Sequence, residues 1–316
     1  MRWNRKIAVG LAALVVMAAM FGAPGVQAAA KEKVELPPHT SVGSDGSVND
    51  WSSMGISSEG QVVSPAFAGD PSFKVPAPGK SASDRNEQHV KPAREGDISI
   101  SSVIGTDSRT QVTSTTTYPY RAIAHITSSI GGCTGWFISN RTVVTAGHCV
   151  HSGGSGGSWA TNVVVYPGRD GSYMPYGSCT YATLYSVSGW TSSGDRNYDY
   201  GAIRLNCTIG DTVGWFGFRY TTSSLVGTAE NISGYPGDKT YGTQWQHADQ
   251  IWNSYTYYLE YKNDTYGGQS GSPVYEKNNS SCSGPCSIAV HTNGGSTYNS
   301  GTRITQSVYN NLTNWK

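Results

Sequence analysis

Asp264-Thr265-Tyr266-Gly267-Gly268-Gln269-Ser270-Gly271-Ser272-Pro273 is a glycine-rich turn that runs into the strand-like pair Val274-Tyr275. Outward from it the chain reads as short strands between turns. Tyr120-Arg121-Ala122-Ile123-Ala124-His125-Ile126 alternates, and Thr142-Val143-Val144-Thr145 is β-branched. Asn162-Val163-Val164-Val165-Tyr166 stops at Pro167-Gly168, and Ser287-Ile288-Ala289-Val290-His291 stops at Asn293-Gly294-Gly295. Such spacing suits a sandwich or barrel, not alternating strand and helix units. One helical pattern stands out: Ile304, Val308, Leu312 and Trp315 share a face at the end of the chain.

Composition agrees with an all-β, turn-rich class. Of 316 residues only 14% are charged, with 39 glycines and 20 tyrosines, against roughly 25% charged residues in ordinary globular chains. The net charge of +1 supplies no basic field for a nucleic acid.

The N-terminus reads as a targeting segment. Arg2, Arg5 and Lys6 precede an apolar run from Ile7 to Phe21, and small residues around Ala28 offer a cleavage site. The run is shorter than the roughly 20 residues of a membrane helix. We expect a signal peptide over 1–28 and a soluble, secreted, extracellular product. Residues 29–101 are rich in proline and charge and contain no cysteine, which reads as a linker or a propeptide. The remainder, 102–316, is the expected mature domain. Cys133, Cys149, Cys179, Cys207, Cys282 and Cys286 fit an oxidising compartment, with 15 pairings open. No CxxC pair with a second ligand pair at finger spacing is present, so no metal site is expected.

Three elements carry chemistry. Acyl transfer needs a nucleophile on a tight turn with backbone N–H groups turned toward a developing oxyanion, and Ser270 has that setting. His148 lies in Thr145-Ala146-Gly147-His148-Cys149. Asp199 lies in Asn197-Tyr198-Asp199-Tyr200-Gly201-Ala202-Ile203, at the mouth of an apolar strand. Each alone has an ordinary structural reading.

In the order His, Asp, Ser, these elements resemble the three catalytic signatures of chymotrypsin-like serine proteases. Ser102-Val103-Ile104-Gly105-Thr106-Asp107, Gly234-Tyr235-Pro236-Gly237-Asp238-Lys239 and His291-Thr292-Asn293-Gly294-Gly295 look more narrowly like the secreted glutamyl endopeptidases of Bacillus, in the V8 protease group. The resemblance runs from about residue 102 to 316. It implies two six-stranded Greek-key β-barrels, meeting near residues 210–225, and a C-terminal helix. It also implies a His148, Asp199, Ser270 triad and an oxyanion hole from the N–H groups of Gly268 and Ser270. Bridges Cys133–Cys149 and Cys282–Cys286 match those of the Bacillus enzymes, which leaves Cys179 and Cys207 for each other.

One departure concerns activation. In the animal enzymes the residue before the nucleophile is an aspartate that pairs with the new N-terminal amine; here it is Gln269, which cannot form that pair. In the V8 group the freed amine is thought to approach the substrate's acidic side chain, which would make cleavage near Ser102 a requirement. Ile100-Ser101-Ser102 does not follow a glutamate, whereas Glu95-Gly96 offers a self-cleavage point.

Specificity has two readings. Asp264, six residues before Ser270, has the spacing of the acid that binds Lys or Arg in trypsin-like enzymes. The resemblance instead implies that Thr265 and His291, with Thr292 and Asn293 beside them, bind a glutamate side chain, with aspartate weaker, and that Asp264 is structural. His125 and His247 are expected to be structural or exposed, His247 in a polar loop. A secreted binding module on an inactive protease fold is the non-enzyme alternative; it would be expected to have lost one of these elements. No cofactor is expected, although a structural calcium stays open with no convincing acidic ligand set. The expected partners are protein and peptide substrates and the chain's own propeptide, with no nucleic acid, no membrane after signal removal, and a monomeric state.

Overall fold

The computed structural model describes residues 35–51, 62–77 and 102–316. The expected signal peptide and the junction over 95–101 lie outside the described residues. Three short strands come first: β1 (Ser41–Gly43), β2 (Val48–Asn49) and β3 (Val62–Ser64), followed by β4 (Thr110–Gln111). The first barrel comprises β5 (Ile123–Ser128), β6 (Gly131–Phe137), β7 (Thr142–Thr145), β8 (Val164–Pro167), β9 (Cys179–Val187) and β10 (Gly201–Leu205). Between the barrels lie a helical turn, α2 (Gly210–Val213, after α1 at Ser188–Thr191), and β11 (Gly217–Tyr220). The second barrel comprises β12 (Ala229–Gly234), β13 (Trp245–Ser254), β14 (Tyr258–Tyr261), β15 (Pro273–Asn279), β16 (Gly284–Asn293) and β17 (Asn299–Arg303), and the chain ends in α3 (Gln306–Asn314).

Both barrels follow one topology. With the six strands of each numbered in chain order, their neighbours run five-four-one-two-three-six, and strand six closes back onto strand five. The four-one-two-three portion is the Greek-key order. Closure leaves little open edge in each barrel, although β9 runs on past its pairing with β8 at Cys179 and Thr180.

Successive side chains of a strand face opposite sides, and here both sides are buried. Val143 of β7 and Ile203 of β10 point into the first barrel with Ile126, Val165 and Leu184. Their neighbours Val144 and Ala202 point into a layer shared with Trp136, Phe218, Tyr275 and Val290. Burial on both faces fits the β-branched, non-alternating composition of Thr142–Thr145. The second barrel has its own core of Ile232, Ile251, Leu259, Val274 and Ile288.

The C-terminal helix forms as its spacing predicts. Thr305 caps it by accepting from the Val308 N–H, and Ile304, Val308, Leu312 and Trp315 are all buried. Tyr120–Ala122, expected to be extended, forms a tight helical turn in which the Ala122 N–H donates to Pro119 O, so β5 starts only at Ile123. Disulfides join Cys133–Cys149, Cys179–Cys207 and Cys282–Cys286.

Candidate active site

His148 and Asp199 meet because β7 and β10 are antiparallel neighbours. Thr145 lies opposite Gly201, so the segment leaving β7 and the segment entering β10 emerge at one end. His148 occupies a helical turn, Gly147–Cys149, tied to β6 by Cys133–Cys149. The buried Asp199 carboxylate accepts twice from this residue: from the backbone N–H through Oδ1 at 2.8 Å, and from ring Nδ1 through Oδ2 at 2.7 Å. A Cβ on Gly147 would lie 3.0 Å from Asp199 Oδ1 and from the Trp190 ring, so a side chain there would crowd the pair. From the second barrel, the Thr302 hydroxyl donates to Asp199 O at 3.0 Å.

Ser270 stands on the turn before β15. Gly268 (φ 101°) and Gly271 (φ 88°) adopt left-handed backbone that glycine alone takes readily. A Cβ on Gly271 would fall 2.2 Å from Thr134 O and Thr145 Oγ1, which shows how closely this turn abuts the first barrel. The Thr134 N–H donates to Ser270 O at 2.9 Å, the Thr134 hydroxyl donates to Gly268 O at 2.8 Å, and Cys149 Sγ lies 3.7 Å from Ser270 O. The half-buried Ser270 is thereby held against the residue that follows His148. Among the described residues no hydrogen bond joins the Ser270 hydroxyl to the His148 ring, and none takes up the N–H groups of Gly268 or Ser270.

Gln269 is fully buried. Its side-chain oxygen accepts from the Tyr266 N–H at 3.1 Å and from Arg109 at 3.5 Å. Arg109 itself forms ion pairs with Asp107 and Asp238.

Beside this turn lies a group of buried polar side chains. Asp264 places both carboxylate oxygens on backbone, accepting from the N–H groups of Ile104 and Ser108 at 2.7 Å each. Its own N–H donates to His247 Nδ1. His247 belongs to β13, not to a loop. The polar residues of this strand hide its alternation in the sequence. Ser102 is pinned nearby: the Thr265 N–H donates to its carbonyl at 3.2 Å, and Asn299 brackets its peptide.

The Thr265 hydroxyl is buried with no hydrogen-bond partner. His291, also fully buried, has its Nδ1 2.6 Å from the Tyr261 hydroxyl and a further bond to the backbone of Ser300. Burial lowers its pKa to about 3, so the ring is neutral. Asn293 accepts from Arg196 at 2.6 Å and donates to the Thr292 hydroxyl; both of these residues are buried and committed to each other or to Arg196. Tyr261, Arg196, Thr134 and Asn299 were not legible as site residues, since no local motif marks them.

His125 is buried in β5 with its pKa lowered to about 3 by burial. Three potential metal ligands converge at Cys133, His148 and Cys149, but both sulfurs are consumed in a disulfide, so that cluster offers a single imidazole and does not fit a metal ion.

Residues 107–315 match the family described as Trypsin. The Glutamyl endopeptidase of Bacillus licheniformis is 54% identical over 88% of this chain and 88% of its own. A Bacillus subtilis protein named Extracellular metalloprotease is 46% identical over 92% of this chain and 90% of its own. A solved Glu endopeptidase in complex with MPD superposes with a TM-score of 0.63 at 34% identity, covering 67% of this chain and 98% of that one. The chain belongs to the trypsin family and is a serine endopeptidase of the chymotrypsin-like fold.

Proposed function

We propose that this endopeptidase is secreted, is released from a propeptide over 29–101, and cleaves peptide bonds after glutamate, with aspartate weaker. Ser270 Oγ attacks the carbonyl carbon while His148 takes the hydroxyl proton. His148 then delivers that proton to the leaving amine, and water repeats the sequence on the acyl-enzyme. Asp199 fixes the imidazole with Nδ1 protonated and stabilises the imidazolium. The N–H groups of Gly268 and Ser270 receive the oxyanion, each such donor being worth about 3–4 kcal/mol in the transition state.

The observation that carries the specificity is the contrast between Asp264 and Thr265. The Asp264 carboxylate already holds Ile104 and Ser108, which leaves it poorly disposed to receive a Lys or Arg. Thr265 offers a buried hydroxyl without a partner. A buried polar group favours a ligand that satisfies it, and a carboxylate accepts from a hydroxyl donor. The glutamyl endopeptidase relatives support the same choice.

A fluorophosphonate reagent tests the nucleophile. One adduct is expected, on the peptide containing Ser270, and it should be lost in His148→Ala. Labelling of another serine with activity retained in Ser270→Ala would sink the assignment.

A further inference from the structure

Two segments upstream of residue 102 are built into the surface of the protease. The first forms a hairpin: Gly43 N–H donates to Ser47 O, and the Asp45 carboxylate accepts from Ser47 at 3.0 and 2.6 Å. Its β1 adds antiparallel to the end of β9, with Ser41 opposite Val187 and Gly43 opposite Tyr185. The ladder continues on both sides, with the Ser188 N–H donating to Thr40 O and the Ser44 N–H donating to Leu184 O, each at 2.9 Å. Side chains lock the register. The Trp315 indole donates to Ser41 Oγ at 2.8 Å, His39 Nδ1 lies 2.9 Å from the Tyr200 hydroxyl, and Asn311 donates to His39 O.

The second segment adds to the other barrel. β3 pairs antiparallel with β11, with Ser64 opposite Phe218, and β11 in turn pairs with β16. The Ala66 N–H donates to Cys282 O, and Phe67 exchanges both backbone bonds with Trp215, the two rings lying 4.3 Å apart. The segment then crosses to the first barrel, where Arg121 donates to Ala68 O and the Tyr173 hydroxyl donates to Pro76 O. The two limbs thus engage both barrels.

We propose that the β9 and β11 edges form a docking surface for the chain's own residues 37–49 and 62–76, and that this double strand addition keeps the propeptide bound after the backbone between residues 77 and 102 is cut. The inference rests on the reading of 29–101 as a propeptide. Strand addition supplies affinity through backbone bonds, and specificity through the side chains between them. Two limbs on one connected fragment reinforce each other, because release of one leaves the other holding it close. The fragment also covers strand edges that would otherwise be open to pairing with other chains.

The test uses the full-length Ser270→Ala precursor with an inserted recognition site for a sequence-specific protease within residues 84–94. After cutting, the pieces are separated by size exclusion in native buffer and identified by intact mass. Co-elution of the upstream fragment with the protease, reversed by denaturant, is expected. Ala66→Pro removes one ladder N–H, and Ser44→Pro removes a ladder N–H together with the hydroxyl that accepts from the Leu184 N–H; each should speed loss of the fragment about tenfold or more. A wild-type fragment that elutes alone at micromolar concentration would overturn the proposal, as would a protease that sheds it and runs as a dimer. If the proline variants do not fold, the unsubstituted cut complex still decides. Binding is read without catalysis, so a wrong cleavage specificity would not affect the outcome. A secreted wild-type protein whose mass still includes residues 29–101 as one uncut chain would instead refute the propeptide reading.

Discussion

The Asp199 carboxylate holds His148 at two points, the ring Nδ1 and the backbone N–H of the same residue. One contact sets the orientation and tautomer of the imidazole, while the other fixes the turn that carries it. The pairing of Thr145 with Gly201 brings the two residues together, so the arrangement follows from the barrel topology.

Asp199→Asn should therefore lower kcat by about 10⁴-fold at neutral pH, because a carboxamide stabilises the wrong tautomer and no longer balances the imidazolium. Peptide hydrolysis measured alongside thermal unfolding checks this. A loss of only a few-fold in a folded variant would mean that Asp199 serves the turn and not the chemistry.

Thr265→Val keeps the shape of the side chain and removes the unpartnered hydroxyl. The preference for Glu over the neutral isostere Gln at the cleaved position should fall about 10- to 100-fold, corresponding to one charge-assisted hydrogen bond. Hydrolysis of a Gln peptide should change much less. Equal losses on both peptides would point to general damage and not to a lost carboxylate contact.

Asp264→Ala removes the two acceptors that hold Ile104 and Ser108. Unfolding should occur several degrees lower, since hydrogen bonds to a charged group contribute about 1.5–3 kcal/mol. The ratio of cleavage after Glu to cleavage after Lys should keep its direction. A collapse of Lys cleavage in the variant, from a substantial wild-type value, would restore the basic-specificity reading.

Much of this was legible from the turns. Gly268 and Gly271 mark the Ser270 turn because their backbone angles and tight surroundings admit little else, and the face of α3 could be read from four spaced residues. The rest depended on contacts between distant parts of the chain. Tyr261 reaches His291 across 30 positions and Arg196 reaches Asn293 across 97, separations at which local pattern carries no information. β1 and β3 are three residues each, too short to rise above a proline-rich background. Tyr120–Ala122 has a strand-like composition, but its backbone bonds close a turn instead.

Acid should weaken the docking proposed for residues 37–49. Burial against Tyr198, Tyr200 and Asn311 lowers the His39 pKa to about 4, whereas a released, solvated histidine titrates near 6.5. The released state therefore binds the proton first. Docking is at full strength above about 6.5 and loses about tenfold in affinity per pH unit from there down to about 4. Dissociation of the cut Ser270→Ala complex at pH 7.5, 5.5 and 4.5 checks this. His39→Gln should flatten the profile, and an unchanged slope in that variant would assign the effect elsewhere.

The most direct test of the central claim is digestion of a mixed peptide library by the processed protein, with cleavage sites read by mass spectrometry and Ser270→Ala run in parallel. Cuts almost wholly after glutamate, absent in the variant, are the predicted result. Cuts after lysine or arginine, or cuts that persist without Ser270, would contradict it.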